Sequence, residues 1–241
     1  MPLTIAHPVA VLPFRRLGLP LAALVAGSMS PDLEHFLYLA PQSYFSHTLP
    51  GLFLFCLPAG TLLLWLYTRL WLPAAATLIP LPAPLTPAAR ETAAWTALAI
   101  LIGAATHIVW DAFTHEYGFA VLRLPALSAT LGEGTWHALP VFKLLQHGTG
   151  LLGLGILGII ALHHRAKWPV IRPRLLLILL LALAAAGLVA ILSVWLQFGF
   201  PAAIREVGRY AGTAIVRFAV ISLIGFTAFS LAVRGRKRLE G

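Results

Sequence analysis

Apolar residues in this chain come in long, nearly unbroken runs, not in the alternating or every-third-or-fourth patterns of soluble strands and helices. Five runs, roughly 49–72, 92–113, 139–162, 174–198 and 211–233, end in turn chemistry or charge, as in LPLPAPLTP after the first and FGFP after the fourth. Each meets the requirement of about 20 consecutive apolar residues for a helix that crosses a bilayer. The pattern therefore predicts an all-α, polytopic membrane helix bundle with about five spanning helices. The proline-rich piece 73–87 reads as an extended linker between spans.

The first 46 residues carry a different pattern. LGLPLAALVAGSM is too short to cross, and Pro31, Asp32, Glu34 and His35 interrupt it. The spacing predicts a helical hairpin: 7–16 runs in, Gly18-Leu19-Pro20 turns, and 21–29 returns, leaving His7 and Asp32 at the same level. Such a half-depth element needs protein or water around its bend, and Arg15 and Arg16 near that bend are the feature it must accommodate. The whole, 1–241, is read as one integral membrane domain: the N-terminal helical segment 1–46, candidate metal-site helices 47–162, and a basic loop with a C-terminal helix pair, 163–241.

Composition sharpens this. With 59% hydrophobic and 10% charged residues and a mean hydropathy of +0.88, the chain cannot cover a surface in water. The formal charge of +9 is bunched: Arg165, Lys167, Arg172 and Arg174 crowd one loop, and Arg234, Arg236, Lys237 and Arg238 crowd the tail. These clusters abut apolar runs without interleaved aromatics, which points to membrane orientation and away from a nucleic-acid partner. Cys56 is the single cysteine, which excludes an intrachain disulfide and a thiolate zinc site. No charged stretch, apolar core and small-residue cleavage site opens the chain, so no removable signal peptide is expected.

If both basic clusters are cytoplasmic, Arg69 and Arg90 fall at cytoplasmic span ends and 114–138 is an outer loop. His47, His107, Asp111, His115, His137 and His147 then gather at the outer side, whereas His163 and His164 sit by Arg165 on the other.

In THIVWDAFTH, four residues advance a helix by about 6 Å and about 40°, so His107 and Asp111 project side by side, with His115 one turn further if the helix continues. An interhelical hydrogen-bonded pair is the plain alternative. In SMSPDLEHF, Ser30 suits an N-cap, Pro31 the first helical position, and Asp32 and Glu34 the first turn. Asp32 and His35 share a face by i,i+3 spacing and Glu34 points away. YFSHTLPG places His47 at a helix start with Ser46 or Thr48 to cap. HALPVFKLLQHGTG adds Lys143, suited to snorkelling or to an anionic substrate, and His147. The donor set is thus His7, Asp32, His35, His47, His107, Asp111, His115 and His147. Imidazole and carboxylate without thiolate suit a divalent metal, zinc foremost, as one or two ions.

The series AHP, SPDLEH, SHT, HxxxDxxTH and QHG resembles that of an uncharacterised bacterial family of multi-helix membrane proteins, a domain-of-unknown-function group, over most of the chain. This group resembles in turn the inner-membrane-associated metal-dependent hydrolases and, distantly, the zinc-dependent phospholipase C and nuclease fold. The resemblance implies ligand roles for His7, Asp32, His47, His107 and Asp111, and a multi-pass location in the bacterial inner membrane. Here Glu34 stands where the hydrolases have an aspartate, and Leu151 occupies the place of a later acidic ligand. The expected activity is metal-dependent hydrolysis of a phosphoester borne by a membrane lipid, with Asp32 or Asp111 as ligand or proton acceptor. A carrier of metal or small solutes using the same polar cluster is the alternative. Haem ligation by His47 and His147 leaves both aspartates unexplained.

Overall fold

The computed structural model describes residues 4–79, 92–132, 138–163, 171–201 and 204–239. Among them the chain is all-α apart from two short strands. The helices are α1 (Pro8–Val11), α2 (Leu21–Met29), α3 (Glu34–Tyr38), α4 (Leu49–Leu78), α5 (Ala93–Thr114), α6 (Val141–His163), α7 (Pro173–Phe198) and α8 (Ile204–Leu239). The strands β1 (Thr130–Leu131) and β2 (Leu139–Pro140) pair antiparallel before α6. Five helices, α4 to α8, are long and apolar enough to cross a membrane, as the five runs predict. Of the residues used for orientation, Arg90, Arg165 and Lys167 lie outside the described residues, as do His137, His164 and most of the proline-rich linker.

Two expectations need correction. The first span does not stop at residue 72, because α4 runs through Pro73 to Leu78. Proline lacks an N–H, and its ring collides with the carbonyl four residues back. In α4 the turns just before its two inner prolines widen to π geometry, Leu52–Cys56 ahead of Pro58 and Tyr67–Trp71 ahead of Pro73. The wider turn removes that clash and the helix continues. Second, Ser30 does not cap a new helix. It keeps α-helical dihedrals (φ −64°, ψ −34°) and donates its hydroxyl back to the Gly27 carbonyl at 2.8 Å.

The chain forms two compact units, one of residues 1–31, 45–61 and 88–166, the other of 32–44, 62–87 and 167–241. In the first, a helical arm of 8–17 turns at Gly18, whose φ of 76° favours glycine, and returns as α2, so the hairpin is present. Trp95 Nε1 donates to the Gly18 carbonyl at 3.1 Å and ties the bend to the start of α5. Arg15 and Arg16 are exposed, so no arginine is buried at the bend. Helix α2 packs on α5 with backbone against backbone. A Cβ on Gly27 would collide with the Ile100 carbonyl, and one on Gly103 with the Leu24 carbonyl. Small residues at such a crossing are how helices approach closely where lipid gives no hydrophobic drive to associate.

In the second unit α7 packs on α8. Arg217 of α8 donates to the Leu39 carbonyl at 3.3 Å, to Ser193 Oγ at 3.0 Å and to Gln197 Oε1. Trp71 Nε1 donates to Thr227 Oγ1 at 3.0 Å, joining α4 to α8. The basic residue in the interior of the last apolar run thereby bonds within the protein, and it holds the end of α3.

Gly103→Leu is expected to destabilise the protein by at least about 2 kcal/mol, the upper range for overpacking, because backbone cannot yield as a side chain does. Gly158→Leu, where a Cβ meets open space, should be neutral. Thermal unfolding of the two variants in one detergent checks both, and equal midpoints would refute the close crossing.

Candidate metal centre

Along α5 the buried residues Ala99, Gly103, His107 and Asp111 follow one another at i,i+4. Four-residue steps keep them on one slowly turning stripe. The two small residues lie where α2 crosses, and the two polar ones occupy the C-terminal turns. The stripe thus carries the crossing and the donors together.

Asp111 is the hub, 7% exposed. Its Oδ2 lies 3.2 Å from His107 Nε2 and 3.3 Å from His47 Nε2, and its Oδ1 lies 3.4 Å from His115 Nδ1 and 3.6 Å from His7 Nε2. Four imidazoles from three stretches of chain therefore surround one carboxylate. His47, His107 and Asp111 each offer a ligand atom, and these atoms lie within 4.8 Å of one another. His7 stacks on His107 with ring centres 3.8 Å apart and planes at 15°, and its other side meets Trp110 at 5.1 Å. His47 precedes α4, whose cap is Thr48 accepting from the Gly51 amide at 3.0 Å, and its Nδ1 shares a hydrogen bond of 2.9 Å with Ser46 Oγ. His115 lies just beyond α5 in extended conformation (φ −116°, ψ 145°), yet its ring still turns back to Asp111.

The protonation of His107 is fixed by its neighbour. Its Nδ1 lies 2.6 Å from the Ser28 carbonyl, which can only accept, so Nδ1 carries the proton and donates. In the neutral ring, Nε2 then presents a lone pair to a carboxylate oxygen 3.2 Å away. A cation held between or beside these two acceptors would satisfy both, and the group could hold a metal ion. Protonating all the rings would place four positive charges around one negative in a site where His107 is 0% and His7 2% exposed. Burying uncompensated charge costs several kcal/mol per ion, and a stacked pair of imidazolium rings adds repulsion. A divalent ion meets the same lone pairs with one charge centre. An imidazole held by a backbone carbonyl on its far nitrogen is also the usual support of a metal-ligating histidine.

Asp32 opens the second unit, one peptide bond beyond Pro31. It is buried, and its Oδ1 lies 3.1 Å from His35 Nε2. His35 Nδ1 donates to the Gln42 carbonyl at 2.7 Å. The carbonyl–imidazole–carboxylate order seen at His107 recurs here. Glu34, read as pointing away, is buried at 3% exposure.

His147 and Lys143 stand outside this cluster. The buried stripe of α6 is Phe142, Gln146, Gly150 and Gly153, and Lys143 and His147 each fall one residue later, rotated by about 100°. Both are exposed. Neither side chain has a contact with Asp111 or its imidazoles among the described residues. The Ser28 carbonyl and the Trp110 ring escaped the sequence reading. No side chain signals the carbonyl, and in the sequence Trp110 is one more apolar residue of a span.

The fold and the site define an all-helical membrane protein with a buried His/Asp cluster able to hold a metal ion. The chain belongs to the family described as Domain of unknown function (DUF4184), whose model matches residues 1–234. No curated protein and no solved structure gives a significant match.

His107→Ala and Asp111→Ala should each lower zinc affinity by more than about 100-fold, beyond the 10–100-fold typical of supporting residues, while His147→Ala leaves it unchanged. Elemental analysis of the purified variants after zinc loading measures this. Equal metal content in all of them would show that the cluster binds none.

Proposed function

We propose that the protein is a membrane-embedded, metal-dependent hydrolase of a phosphoester carried by a lipid. One observation carries the reading: a buried carboxylate ringed by imidazoles, with His107 locked by the Ser28 carbonyl so that its lone pair faces Asp111. His7, His47, His107 and Asp111 are the proposed ligands, with His115 beside them. The donors are nitrogen and oxygen without thiolate, which favours zinc, as one ion or two. Asp32, four residues beyond Ser28 in the chain, is proposed as a further ligand or as the proton acceptor, with His35 holding its carboxylate.

A divalent ion in such a set would supply Lewis acidity toward a phosphoryl oxygen and make water a better nucleophile near neutral pH. The chain's own contribution is to hold the donors rigidly and dry. Ser28 fixes one ring, Ser46 pairs with another, and the His7–His107 stack holds two rings parallel. An anionic phosphoester then meets a site whose ligands carry few negative charges, so attraction to the bound cation is not cancelled. The basic residues flanking the later spans support a C-terminus in the cytoplasm of a bacterium and a site toward the outer leaflet.

Zinc-loaded protein is expected to hydrolyse a soluble aryl phosphodiester and a phospholipid in mixed micelles. Asp111→Asn should reduce both rates by at least about 100-fold, in keeping with loss of a group that holds or moves the reacting atoms. Release of the aryl alcohol and of headgroup phosphate follows the two reactions. Zinc held tightly by a protein that turns over neither would overturn the hydrolase and leave a metal carrier.

A further inference from the structure

Beside the cluster, in the same unit, the N-terminal arm, α5 and α6 border an open groove of about 830 Å³. Phe14, Val109, Phe113, Leu145, Leu152 and Ile156 form much of its wall. The polar groups that reach this wall are already engaged. Thr106 donates to the Gly103 carbonyl, Thr114 to the Trp110 carbonyl and Thr149 to the Leu145 carbonyl, while Trp110 Nε1 donates to Thr149 Oγ1. The wall therefore offers hydrocarbon to an occupant and no free side-chain donor among these four. A polar solute would lose its hydration there with nothing in return.

The length and position of the cavity select among apolar occupants. Its wall on α5 runs from Ile102 to Thr114, which is about 18 Å at a rise of about 1.5 Å per residue. One leaflet contributes about 15 Å of the ~30 Å hydrocarbon core of a bilayer. One end lies at the level of Asp111. Trp110 and Thr114 line the cavity there, and they also border the cluster: the Trp110 ring lies 5.1 Å from His7, and Thr114 Oγ1 lies 3.4 Å from His115 Nδ1. From the level of Asp111 the groove follows the helix for nine residues to Ile102, about 14 Å, close to the depth of one leaflet.

We infer that this groove seats an acyl chain of a membrane lipid whose polar headgroup lies at the His/Asp cluster. The headgroup's place rests on the metal-centre reading, and the tail's place rests on the groove alone. Val109 and Phe113 are exposed, so the groove is open along its side and a chain can enter from the bilayer without leaving hydrocarbon. Ala105 lines the wall as a small residue, and a phenylalanine there would fill the channel.

The test uses the full chain, zinc-loaded, in phosphatidylcholine vesicles that contain a trace of phosphatidylcholine with a photoreactive diazirine midway along one acyl chain. Label is expected to concentrate on 102–113 and 145–156 over the other lipid-facing helices, and free phosphocholine should leave it unchanged. Ala105→Phe should abolish this labelling while its zinc content matches the wild type. If that variant fails to fold, Val109→Trp, at an exposed wall position, replaces it. Label spread evenly over all lipid-facing helices, or unchanged labelling in the folded variant, overturns the inference. Groove labelling without zinc binding would leave the groove and remove the metal centre; zinc binding without groove labelling would do the reverse.

Discussion

A single hydrogen bond, from His107 Nδ1 to the Ser28 carbonyl at 2.6 Å, joins the packing of this protein to its chemistry. It exists because α2 and α5 touch backbone to backbone at Gly27 and Gly103, one residue before Ser28 and four before His107. A larger residue at either glycine would push α2 away, and the carbonyl would leave the ring. Without that acceptor His107 could place its proton on either nitrogen, and its lone pair would no longer be directed at Asp111. The small residues are part of the site although none of them touches a ligand atom.

Two polar features of the apolar helices show what makes this one chemical. Arg217 is expensive in a span, but each of its three nitrogens donates within the protein, to Leu39, Ser193 and Gln197. Such a group anchors helices and offers nothing outward. The cluster at Asp111 has the opposite character. The His107 lone pair faces the carboxylate, and Asp111 Oδ1 is fully buried and accepts no hydrogen bond among the described residues, with ring nitrogens at 3.4 and 3.6 Å. Buried polar atoms are almost always satisfied. The convergent set could hold a metal ion, and the donor types fit one.

Much of this was legible in the chain. The spans follow from run length, and His107 and Asp111 follow from a four-residue step on a helix. The meeting of His7 and His47 with them followed from counting spans and arms, since each lies at the same end of its element. What escaped depends on single-residue rotation or on backbone. Gln146 and His147 are neighbours, and only packing reveals that Gln146 turns inward. Pro73 reads as a stop, and a π turn before it lets the helix pass. Ser30 reads as the cap of a new helix, but it closes α2 instead, with its hydroxyl returned to the Gly27 carbonyl. The Ser28 carbonyl leaves no mark in any side-chain pattern.

Helix α5 presents two different surfaces a single residue apart. Gly103, His107 and Asp111 form the donor face, and Ile102, Thr106, Val109 and Phe113 form the groove face. A rotation of about 100°, one residue of helix, would exchange them. The register of α5 must therefore be held more firmly than apolar contact with lipid can hold it, since one greasy face is nearly as good as another. The glycine crossing provides that constraint, because only Gly27 and Gly103 let the backbones meet, and any other rotation drives a side chain into α2. One steric fit sets both the direction of the His107 lone pair and the position of the apolar groove beside it, which is why a donor face and a groove face can share one helix without interfering.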